Sequence, residues 1–151
     1  MSQFDPDLFL GTETDASNAT KVEPIPECDL PGVIESVSSR SFMNKAGDKE
    51  FFVIEVKWAL DAPHIAEELG RDKLVSSQTI FLDINEQGNL EMGKGKNVGL
   101  GRLREAVNQN ADGRAWAPTM LVGAGPALCK IAHRFNGEDA FDEVKSVTAL
   151  A

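Results

Sequence analysis

The stretch FFVIEVKWAL at residues 51–60 constrains the fold more than any other part of the chain. As a strand it sends Phe52, Ile54, Val56, Trp58 and Leu60 to one side, a row of large apolar groups suited to a core. Phe51, Val53, Glu55, Lys57 and Ala59 then face the other way. Such a strand needs neighbours, because buried backbone N–H and C=O groups must be paired. The sequence supplies them. Pro24, Pro26 and Pro31 exclude a helix upstream, so a strand is expected from about Gly32, with Val33, Glu35 and Val37 on one face. Asn44, Gly47 and Asp48 mark a turn, and the first two strands are expected to form an antiparallel hairpin.

Pro63 opens a short helix, APHIAEELG, which Gly70 closes. LVSSQTIFLDI follows as a third strand, with Ile80, Leu82 and Ile84 on one face and Ser77, Thr79, Phe81 and Asp83 on the other. A turn is expected at 85–89. Val98, Leu100, Leu103 and Val107 recur at helical spacing, so 97–109 reads as an amphipathic helix despite Gly99 and Gly101. The last strands are expected in PTMLVG merging into ALCKIAHRF, and in AFDEVKSV, with a four-residue loop at 136–139 between them.

The element order is that of a mainly β, five-stranded OB-like Greek-key barrel with a helix between strands 3 and 4 and a short additional helix. A β-sandwich with a decorating helix gives a similar order, and fold alone does not fix function. At 151 residues the chain suits one domain. Residues 1–27 read as an acidic, extended or partly disordered arm before a domain at 28–151.

The formal charge of −9 argues at first against an acidic polymer as partner. Its distribution is uneven: residues 1–27 carry six acids against Lys21 alone. Between Lys94 and Arg114 the balance reverses, with five basic residues (Lys94, Lys96, Arg102, Arg104, Arg114) against Glu105 and Asp112. The GKGKN motif adds backbone amides able to approach phosphate.

The layout resembles that of phage-encoded single-stranded DNA-binding proteins of the OB-fold type over roughly residues 28–149. The likeness rests on the proline-flanked ECDLPGVIESV, the aromatic EFFVIEVKWAL, the glycine- and arginine-bearing NVGLGRLREAV, and the closing pair ALCKIAHRFNGEDAFDEVKSV. It implies sequence-independent single-strand binding in replication or recombination, without catalysis or cofactor. It also leaves replication or recombination proteins and a homodimer open as partners. Such proteins often end in an acidic tail, whereas this chain ends SVTALA, so a tail-like role would fall to residues 1–27.

Sequence-independent binding of a single strand needs cations along the phosphates and flat side chains on which bases stack. The outward parity offers Phe51, Lys57, Phe81, Lys130, Arg134 and Lys145. Arg40, Phe42 and Lys45 are expected in the loop after the first strand, a region OB folds use for ligands. Outward cations are normal on any sheet, and an outward Phe can also pack beneath the arm or a helix. Trp58 belongs to the core parity. Trp116, beside Arg114, either stacks on a base or caps the barrel end. His133 reads as a satisfied, partly buried histidine.

Glu55 and Lys57 have the Glu-x-Lys form of a Mg²⁺-dependent nuclease, but the accompanying aspartate and helix are missing from the pattern. No hydrolase elbow or phosphate loop occurs. No metal site is expected from Cys28, Cys129, His64 and His133, and the two cysteines are expected as thiols. No apolar run reaches the roughly 18 residues of a membrane helix, and MSQFDPDLFL does not read as a secretion signal, so a cytoplasmic, membrane-free protein is expected.

Overall fold

The structure, a computed structural model, describes residues 3–150. Five strands, β1 (Asp29–Met43), β2 (Glu50–Leu60), β3 (Leu74–Leu82), β4 (Ala127–Asn136) and β5 (Asp139–Ala149), form one antiparallel sheet in the order β3-β2-β1-β4-β5. Helices α1 (Pro6–Leu10), α2 (Pro63–Leu69) and α3 (Val98–Ala106) complete the elements, with a 3-10 turn at Pro118–Leu121. That turn stands where PTMLVG was expected to begin a strand. Pro118 removes a ladder donor and sets the first turn, and the fourth strand starts only at Ala127.

Strand β1 organises the sheet because it has two partners. Its first part pairs with β4 through Asp29↔Lys130 to Gly32↔Ala127, and the rest pairs with β2 as far as Met43↔Glu50. A register shift between Ile34 and Ser36 inserts Glu35 as an extra residue. A bulge of this kind reverses parity. Ile34 is therefore buried while Val33 and Glu35 face outward, and Val37 turns back towards the core, so the single face expected for Val33, Glu35 and Val37 is divided.

At the same place the backbone of Gly125 (φ +124°) packs so closely that a Cβ there would lie 2.9 Å from Gly32 O. Gly123 N–H and Ala124 O meanwhile pair with Ile34. The loop before β4 thereby fills the position that β4 itself leaves open.

The core lies between the curved sheet and α3. Ile34, Ile54, Val56, Trp58, Leu74 and Ile80 come from β1–β3, and Cys129, Ile131, Val144 and Val147 from β4 and β5. Leu100, Leu103 and Ala106 of α3 complete it, and α3 packs on both edge strands. Trp58 is fully buried, as its parity predicts, and its indole N–H donates to Gln78 Oε1 at 3.0 Å. Buried polar groups are thus matched to one another.

The edge strands β3 and β5 share no ladder, yet Ser76 Oγ donates to Asp142 Oδ1 at 2.6 Å across the gap. The acidic arm divides in two. Residues 3–23 are exposed throughout. Ile25, between two prolines, is fully buried in the core, with its N–H donating to Asp142 Oδ2 and its carbonyl 2.6 Å from His133 Nε2. The last residues of the arm therefore belong to the folded unit.

Candidate nucleic-acid interface

The outer face of β1, β2 and β3 carries a cluster of three phenylalanines. Phe42 and Phe51 sit directly opposite each other in the β1–β2 ladder, and Phe81 lies one strand further on, opposite Val53. Their ring centroids are 5.5 Å (Phe42–Phe51), 6.0 Å (Phe51–Phe81) and 6.3 Å (Phe42–Phe81) apart. Offset and edge contacts at this range are favourable aromatic geometries. Val53, two residues from Phe51 and opposite both Arg40 and Phe81, is buried although it points away from the core. Phe81 remains 59% exposed and Phe42 37%, so the cluster is an apolar platform open to solvent.

Cations edge this platform. The Arg40 guanidinium lies 5.3 Å from the Phe42 centroid, and Lys49 Nζ lies 5.0 Å from that of Phe51. Arg40 also approaches Glu55 at 3.7 Å. Arg40 and Phe42 stand in β1 itself and not in a loop, because the ladder continues to Met43. The tip beyond is fixed by Asn44, whose Oδ1 accepts the N–H groups of Asp48 and Lys49, and Lys45 is exposed there. Lys49 was missed by sequence reasoning. Its place just before β2, in register with the aromatic pair, is the signal that identifies it.

Beside Phe81 the gap between β3 and β5 forms a cleft of about 310 Å³, lined also by Thr79, Arg102 of α3 and Lys145 of β5. Lys145 lies at a register shift in the β4–β5 ladder and lines a second hollow with Lys130. Phe42, Phe51, Phe81, Arg40, Arg102 and Lys145 are thus gathered along one side of the molecule.

Other expected residues stand elsewhere. Arg134 is on the β4–β5 hairpin, 5.8 Å over the ring of Phe141, which sequence reasoning did not single out. That hairpin closes with two residues, Gly137 and Glu138, between the pair Asn136↔Asp139, so Arg134 and Phe141 fall opposite each other. Lys57 shares the outer face with Phe51 but lies beyond Glu55. With Lys73 it surrounds Glu35, whose carboxyl is held below its usual range chiefly by the hydrogen bond from Lys73 and further by both lysine charges. Lys96 is ion-paired with Glu91 at 3.1 Å, and that hydrogen bond raises its pKa.

One of the GKGKN amides meets an acid: Asn97 N–H, just before α3, donates to Asp83 Oδ2 at 2.8 Å. Lys94 is exposed in the same loop. Trp116 is half-buried against the core, with Arg104 4.0 Å over its ring and its N–H donating to Gln109 Oε1.

Of the Glu-x-Lys pair, Glu55 lies 3.7 Å from Arg40, and the nearest upstream aspartate, Asp48, sits in the hairpin turn and accepts from Asn44 Nδ2. Among the described residues no three His, Cys, Asp or Glu side chains are disposed to hold a metal ion, and no helix is long and apolar enough to cross a membrane. Cys28 and Cys129 are free thiols.

Compared with known proteins, the chain matches no family model and no curated sequence.

Proposed function

We propose that this chain is a non-catalytic, largely sequence-independent single-stranded DNA-binding protein, of the kind phages use for replication or recombination in the cytoplasm of their host. The observation that carries this reading is the exposed Phe42–Phe51–Phe81 platform with Arg40 and Lys49 at its edge and the Arg102–Lys145 cleft beside it. Stacking on such rings is indifferent to base identity, and cations beside them follow the phosphates. An OB-like Greek-key barrel is the matching architecture. It is supported by a first strand shared between β2 and β4, and by β3 and β5 turned towards each other over α3.

The overall negative charge is unevenly placed: the exposed residues 3–23 carry a net −4 of the −9, while Arg40 and Lys49 are the charged groups that lie over the platform rings. Titration of the protein with fluorescent oligo-dT at several salt concentrations tests it. Affinity should fall linearly in log salt, with a slope set by the phosphates neutralised. Absence of binding at low salt would leave a partner-binding or assembly role, which the exposed Phe4, Leu8, Phe9 and Leu10 around α1 favour.

A further inference from the structure

Around α3 three clefts adjoin. Arg102 lines both the β3–β5 cleft with Phe81 and a cleft of about 350 Å³ along the helix, and Arg104 lines the latter and a third, of about 260 Å³, against Trp116. The middle cleft also carries Glu91 and Glu105, and Glu91 is engaged by Lys96.

Trp116 at the far end is held in a fixed plane. Its N–H edge bonds Gln109 Oε1 at 2.9 Å, Arg104 Nε donates to Gln109 O at 2.9 Å, and Gln109 Nε2 donates to Met120 O at 2.9 Å. Gln109 thus sets both groups, the indole through its side chain and the guanidinium over it through its backbone carbonyl, while exposed Arg114 stands at the same cleft. Arg104 already covers one face of the half-buried indole, so the flat surface turned to the cleft is the guanidinium stacked on Trp116, with Arg114 beside it for a phosphate.

We infer that the binding site is bipartite: a single strand seated on the Phe42–Phe51–Phe81 platform continues past Arg102 along α3 to a second stacking position on the Arg104 guanidinium that lies over Trp116. This inference rests on the single-strand reading above and extends it by a path and a second platform.

Oligonucleotide length tests it. Sites on one OB fold span about 4 to 16 nucleotides, so oligo-dT of about 5 and about 15 residues brackets a short and a full footprint. The intrinsic fluorescence of the protein comes from Trp58, buried and bonded to Gln78, and from Trp116. It should change with the longer oligonucleotide and far less with the shorter, and Trp116→Phe should abolish the change. Arg114→Gln, at an exposed position clear of the core, should weaken the longer oligonucleotide about 3- to 10-fold, lower its salt slope by about one, and leave the shorter unaffected. If both lengths bind with silent Trp116 fluorescence and Arg114→Gln matches the parent, the bipartite path is wrong and the platform reading survives. If neither length binds at low salt, both are wrong.

Discussion

Ser76 and Asp142 are the polar bridge across the open seam of the sheet: Ser76 Oγ, on β3, donates to the Asp142 carboxylate of β5 at 2.6 Å. The other oxygen of the same carboxylate accepts the Ile25 N–H at 3.0 Å, so one side chain joins both edge strands and the end of the arm. Ser76 is buried, and removing its partner strands a hydroxyl and an amide together. Asp142→Ala is expected to cost about 1.5–3 kcal/mol in urea denaturation, and Ser76→Ala, which leaves the Ile25 bond intact, about 1 kcal/mol. Equal stability of Asp142→Ala and the parent would mean that the seam is held by apolar packing alone.

Burial pushes the Cys129 thiol up to about 12, and Cys28 is raised as well, by burial and then by the neighbouring charge of Asp29. A folded pKa above the unfolded value of 9.0 means that the folded state holds the proton more tightly. The resulting stability is complete below the unfolded pKa and is lost as pH rises from there towards about 12. Chemical denaturation at pH 7 and at successive values above 9 should show this decline, and Cys129→Ala should flatten it. In thiol labelling at pH 8, half-buried Cys28 should react first and Cys129 only on unfolding. Prompt labelling of both would contradict the packing around Cys129.

Much of the fold was legible because alternation in β2 and β3 fixed two faces at once, and the structure keeps Trp58 inside and Phe51 and Phe81 outside. The β1 faces were hidden by the bulge at Glu35, since one inserted residue leaves no mark in the hydrophobic pattern. Ile25 was hidden for a different reason. A lone apolar residue between prolines in an acidic stretch looks like linker, and the groups that satisfy its backbone in the core, Asp142 and His133, lie 117 and 108 residues away. At the candidate site, parity brought Phe51 and Phe81 together, while Lys49 and Phe141 emerge only once the hairpin registers are known. The Asp83–Asn97 contact, which takes up one of the GKGKN amides, is likewise a matter of tertiary placement.

The two faces of the β2–β3 pair should separate binding from stability. Phe81→Ala removes an exposed ring from the platform and is expected to weaken oligo-dT binding by about 5- to 100-fold, the worth of one stacked base, with little change in the unfolding midpoint. Trp58→Ala empties a fully buried site and strands Gln78, for about 3–5 kcal/mol of stability. Phe51→Ala lies between the two, since Phe51 is half-buried where Phe81 is exposed. The reverse ranking, with Phe81 mattering for folding and Trp58 for binding, would require the faces to be exchanged.

Truncation of the arm should give two results according to where it stops. Residues 1–20 contain four acids and no lysine or arginine, and those from residue 3 onward are exposed. Deleting them is expected to leave the unfolding midpoint unchanged. It should tighten oligo-dT binding about two- to fivefold at low salt, because negative charge that repels the phosphates is removed, and the gain should vanish as salt screens it. Deletion through residue 27 takes Ile25 from the core and the Glu27 carboxylate from the His133 N–H, so it should also cost about 2–5 kcal/mol of stability. Thermal melts and salt-dependent titrations of the two truncations, run side by side, distinguish these effects. If the shorter deletion lowers the midpoint as much as the longer one, residues 1–20 contribute packing. If neither deletion alters affinity at low salt, the arm does not compete with DNA.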